Sequence, residues 1–90
     1  MAEIIASGTT EASSSDFSLI DGQTSTLYLK NTTGNKLGSG SRAVIQIKSG
    51  SVYFAIGELD RDTPAKVLAG IGTYRVTRLA NTVAFGVDRD

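Results

Sequence analysis

The stretch AVIQIKSGSVYFAIGEL (residues 43–59) carries two alternating runs around one small turn. Ile45 and Ile47 fall on one side of the first run, with Val44, Gln46 and Lys48 opposite. Val52, Phe54 and Ile56 fall on one side of the second. Successive side chains of a strand point to opposite faces, so a period of two marks a strand with one buried face. Ser49-Gly50 stands between the runs as a tight hairpin signal. The stretch reads as two antiparallel neighbours.

The same period extends outward. DFSLI (16–20) alternates Phe17 and Leu19, and TSTLYLK (24–30) sets Leu27 and Leu29 against Tyr28. TYRVTRL (73–79) sets Tyr74 and Val76 against Arg75 and Thr77, and TVAFGVD (82–88) aligns Val83, Phe85 and Val87. EIIAS (3–7) and AKVLA (65–69) are weaker strands, although TPAKVLAG (63–70) could instead form one helical turn. Asp21-Gly22, NTTGN (31–35), GSGS (38–41), DRDTP (60–64) and Ala80-Asn81 are turn or loop signals. Seven or eight short strands at this spacing predict an all-β, antiparallel sandwich or barrel of jelly-roll or immunoglobulin-like type over residues 16–90. The polar residues 1–15 read as a flexible N-terminal arm that could cross to a neighbouring subunit.

Composition narrows the function. Ninety residues make one domain. A chain this short has a thin stability margin, which docking or oligomerisation would widen. Nine basic and nine acidic residues cancel, which argues against nucleic acid and anionic membrane as partners. With no cysteine there is no disulfide framework, and with no histidine either the common zinc sites and the Ser-His and Cys-His pairs are excluded. Assembly in a reducing cytoplasm fits. The N-terminus reads as no signal peptide, and no apolar run approaches the ~20 residues of a membrane span. No cofactor, metal or catalytic constellation is expected.

Several groups could form sites. Glu58, Asp60 and Asp62 lie two apart, as do Asp88 and Asp90, a spacing that suits calcium. Arg61 and Arg89 stand between these acids, so a self-paired charged loop is the better reading. The same acids fall in no evident cleft for glycoside hydrolysis. Gly34, Gly38 and Gly40 lack the Lys-Ser/Thr pair of a phosphate loop. Tyr28, Tyr53 and Tyr74 could form a lectin-like surface, but no tryptophan accompanies them. Gly70 and Gly72 read as a sandwich corner feeding the next strand, with Tyr74 buried and its hydroxyl tied to backbone. Arg75 and Arg78 are expected to point outward, where they could meet a neighbour's carboxylates.

STLYLK (25–30), IQIKSG (45–50), GTYRV (72–76) and a final Gly86-Val87 strand, in this order, resemble small β-sandwich accessory proteins of tailed bacteriophage virions. The resemblance is one of pattern from Phe17 onward and brings no catalytic residues. It implies a non-enzymatic capsid decoration or cement protein in the virion, bound to the major capsid protein or another structural protein. It also implies a homo-oligomer, a trimer being one candidate. The alternative is a carbohydrate- or receptor-binding module of a tail or fibre. Contacts are expected from Glu3, Ile4 and Ile5 in the arm, from Asn31, Asn35 and Lys36, from Glu58, Asp60, Arg61 and Asp62, and from Arg75 and Arg78.

Overall fold

The computed structural model describes residues 2–30 and 40–90, and every regular element among them is a strand. In chain order these are β1 (Ala2–Gly8), β2 (Ala12–Ser13), β3 (Phe17–Leu19), β4 (Thr24–Lys30), β5 (Arg42–Ser49), β6 (Val52–Asp60), β7 (Ala65–Ala69), β8 (Gly72–Arg78) and β9 (Phe85–Arg89). They form two antiparallel sheets. One has the order β1-β9-β4-β7. The other has the order β2-β8-β5-β6, with β3 also on β8. The fold is the small all-β sandwich that the alternation predicts.

β2 and β3 are two pieces of one edge run. Ala12 pairs Arg78 and Phe17 pairs Tyr74, so both lie along the same side of β8. Between them Ser14 keeps the ladder closed. Its backbone nitrogen donates to the Val76 carbonyl at 2.8 Å, and its hydroxyl accepts from the Val76 nitrogen at 3.0 Å. A side chain thus stands in for a strand carbonyl at the break.

The hairpin is as expected. Ser49 pairs Val52, so Gly50-Ser51 is a two-residue loop. Gly50 has φ 64° and no other residue type among those described has positive φ. Positive φ at the first central position alone is the type II′ turn, whose twist suits a hairpin.

β7 and β8 lie in different sheets, so Gly70-Ile71 is the corner that passes the chain between them. Gly70 turns it with φ 112°. The Tyr74 ring is buried behind the corner, and its hydroxyl donates to the Gly70 carbonyl at 2.9 Å. The core lies between the sheets. Leu27, Ile45, Leu59, Val76, Phe85 and Val87 have at most 2% of their surface exposed, and each contributes about 1.5–3 kcal/mol by leaving water.

Two expectations are corrected. Residues 2–15 are not a free arm: Ala2–Gly8 pairs β9 as an edge strand, and Ile5 is buried in the core. The apolar face of β6 is not buried: Val52, Phe54 and Ile56 are each at least half exposed, and only Leu59 of that strand is fully inside. β6 is an edge, and an extra residue at Ile56 shifts its phase, since Ile45 pairs Gly57 while Gln46 pairs Ala55. AKVLA is strand β7, the weaker strand its pattern predicts, and the alternative of a helical turn does not form.

Candidate docking face

The outer face of the five-stranded sheet carries the most organised cluster of polar side chains. It starts at the hairpin. The two-residue loop sets Lys48 opposite Tyr53 and Gln46 opposite Ala55, while β8 sets Arg75 on the other side of Gln46. All of these point away from the core, out of phase with Ile45 and Tyr74.

Tyr53 lies over the Arg75 guanidinium, whose central carbon is 3.6 Å from the ring centroid. The Lys48 ammonium is 5.8 Å from the same centroid. The Tyr53 hydroxyl donates to the Asp16 carboxylate at 2.7 Å, and Lys48 reaches that carboxylate at 3.5 Å. Arg75 Nε donates to Gln46 Oε1 at 2.9 Å, and the Thr77 hydroxyl donates to the same oxygen at 3.0 Å. Ser13 and Thr77 share a further hydroxyl contact of 2.9 Å. Seven side chains from the edge run, β5, β6 and β8 are thereby linked in one network. Tyr53 hydrogen bonding holds the Asp16 carboxyl below its ordinary 3.8, helped by Lys48 and Arg75 and opposed by desolvation. The same contact holds the Tyr53 phenol above 10.0. A stacked aromatic–guanidinium pair beside a fixed carboxylate can accept a cation and a planar polar group of a partner at once.

The outer face of the other sheet is built on charge. Lys30 sits between Glu3 and Asp88, 2.9 Å from the Asp88 carboxylate. Contacts with Glu3 and then Asp88 hold its ammonium above the usual 10.5. Tyr28 lies in the same face, opposite Asp88 in register.

The expected contact residues are dispersed. Glu3 is exposed on β1 and Ile4 is half-buried, whereas Ile5 is in the core and offers nothing to a partner. Glu58 is on β6, where Arg42 binds it at 2.8 Å. Asp60 ends that strand, and its carboxylate accepts from the backbone nitrogens of Asp62 and Thr63 at 3.0 and 2.7 Å. Arg61 and Asp62 are exposed at the turn. Asn31, Asn35 and Lys36 lie outside the described residues. Among the described residues no three acids gather to hold a metal ion. Nor do the tyrosines share a surface: Tyr28 and Tyr53 are on opposite faces of the sandwich and Tyr74 is inside it.

Arg75 is on the surface as expected, but Arg78 is not. Arg78 is 4% exposed. Its Nε donates to the Thr10 carbonyl at 2.8 Å, and Nη1 donates to the carbonyls of Ala6 at 2.5 Å and Phe85 at 3.3 Å. The signal was in the alternation: the phase that buries Tyr74 and Val76 also buries residue 78. Lys48 beside Tyr53 was equally readable from the hairpin register. Asp16 was not, because it reaches the cluster from the far edge of the sheet.

Compared with known proteins, the chain matches no family model, no curated protein and no solved structure.

Proposed function

We propose that the protein is a non-catalytic structural module that docks on a protein lattice through the outer face of its five-stranded sheet, as a decoration or cement protein of a phage head. The observation that carries this reading is the Tyr53–Arg75 stack locked by Asp16 and Gln46. Tyrosine and arginine supply much of the energy of protein interfaces. Side chains already held in place lose little freedom on binding. A pre-ordered sheet face suits a repeated partner surface such as that of the major capsid protein or another virion structural protein. The resemblance in strand order to phage accessory proteins points the same way.

The test is sedimentation of the purified protein with expanded heads of its phage that lack it. The expected result is saturation at a copy number set by the coat lattice. Arg75→Ala and Tyr53→Ala are expected to weaken binding by about tenfold or more each. Binding at a few copies per particle would place the protein at the neck or tail instead. Absence of binding, with a positive glycan array, would replace this reading by a carbohydrate-binding module.

A further inference from the structure

We propose that two copies of this chain pair along β6, antiparallel and about a two-fold axis, joining their five-stranded sheets into one. This contact uses the backbone edge and the core-facing side chains of the strand whose outer side carries Tyr53, and it does not rest on the docking reading. It rests on how the four sheet edges differ. A sheet edge presents unpaired backbone groups, and soluble proteins guard it with charge, proline or bulges. β7 carries Lys66 and follows Pro64. β1 carries Glu3 and two register shifts against β9. The β2–β3 edge is interrupted between Ser13 and Phe17, with Asp16 in the gap. β6 alone runs from Val52 to Gly57 with neither charge nor proline. Its one bulge, at Ile56, leaves Val52–Ala55 as regular ladder. Among the described residues its far side has no strand partner.

The side chains on this edge are apolar and open. Val52 is 53% exposed, Phe54 55% and Ile56 50%. Val52 and Phe54 pair Ser49 and Ile47, so both sit on the core-facing side of the sheet, at its uncovered margin. The segment is also self-complementary. A two-fold axis at Tyr53 sets Val52 of one copy against Phe54 of the other, twice, and sets Ser51 against Ala55. Aromatic–β-branched pairs of this kind stabilise antiparallel neighbours. The axis brings no charge opposite a like charge, because Glu58 and Asp60 fall beyond the paired stretch. The molecule as a whole is neutral, so the copies do not repel at a distance. An edge without charge that matches itself selects a second copy over a charged partner.

The experiment is analytical ultracentrifugation of the full chain across a concentration series, with Phe54→Lys, Val52→Lys and Val67→Lys. Val67 is equally apolar and 67% exposed, but it lies on the other sheet. The wild type is expected to dimerise. Phe54→Lys should raise the dissociation constant about thirtyfold or more, with an unchanged circular dichroism spectrum. Val52→Lys should do the same, and it carries the test if the first variant does not fold. Val67→Lys should leave the dimer intact. Backbone amides of residues 52–57 should exchange more slowly as concentration rises. A wild type that stays monomeric throughout would overturn the proposal. So would a trimer, since two-fold strand pairing closes at two, and so would dissociation by Val67→Lys alone.

Discussion

The Arg78 guanidinium ties β1, the loop after it and β9 to β8, and all its acceptors on those segments are backbone carbonyls. Gly8 leaves the room: a methyl group there would sit 2.9 Å from Nη2. A buried carbonyl that loses its donor costs about 1–3 kcal/mol. Arg78→Met keeps the bulk and removes the donors, so it should lower stability by about 3–5 kcal/mol in urea unfolding. Arg78→Lys should fall between, because one ammonium cannot span the acceptors of a planar fork. If Met costs no more than a surface change, the guanidinium is not what joins the sheets. Asp16 gives a second prediction at this scale. Its pKa is depressed in the folded state, mainly by the Tyr53 hydroxyl. The contact therefore supports the fold above the ordinary carboxyl pKa and fades as pH falls through the depressed one. An NMR titration of Asp16 should show a midpoint below 3.8. Tyr53→Phe should move the midpoint upward, and an unmoved midpoint would mean that the hydroxyl contact does not form in solution.

At the scale of elements, the β1–β9 pairing is set by Gly86. A methyl group on Gly86 would lie 2.5 Å from the Ile5 carbonyl oxygen and 2.9 Å from the Ser7 nitrogen, both backbone atoms that cannot rotate away. The register shifts between Glu3 and Ile5, and again between Ile5 and Gly8, press β1 onto this point. Gly86→Ala should therefore cost about 3 kcal/mol, measured by thermal unfolding, and should speed amide exchange in β1 before β4. These shifts also explain what the sequence hid. β4 and β5 keep a period of two and could be read residue by residue, and β8 does so as far as Val76. β1 does not: with two extra residues against β9, Ile5 turns inward, Ile4 is half-buried, and the stretch looks like an arm. β6 misled for the same reason, because an extra residue is visible only against the strand it pairs with. The docking face was legible across the hairpin, where Lys48 must meet Tyr53, and illegible where Asp16 arrives from a non-adjacent strand.

At the scale of the molecule, the two ends of the described chain pair with each other: Ala2 faces Arg89 and Ile5 faces Val87. Most other neighbours are also distant in sequence, since among the described residues only β5 and β6 form a hairpin within one sheet. Such topology folds slowly, because long loops must close before their contacts form. It also makes the first strand part of the fold. A chain lacking residues 1–8 loses Ile5 from the core, uncovers β9 with its fully buried Phe85 and Val87, and strips Arg78 of the Ala6 carbonyl. The Ile5 side chain alone is worth about 2–5 kcal/mol, against a total of about 5–15 kcal/mol for a domain. Each kcal/mol moves the melting temperature of a domain this size by about 4–8 °C. The truncated chain should therefore melt at least 15 °C lower by roughly that conversion, or show no cooperative transition. Thermal circular dichroism of both chains decides the matter. An unchanged transition would mean that β1 is an appendage, free to leave β9 for a neighbouring subunit. A collapsed one would mean that the first eight residues cannot be lent to a partner without unfolding the molecule that lends them.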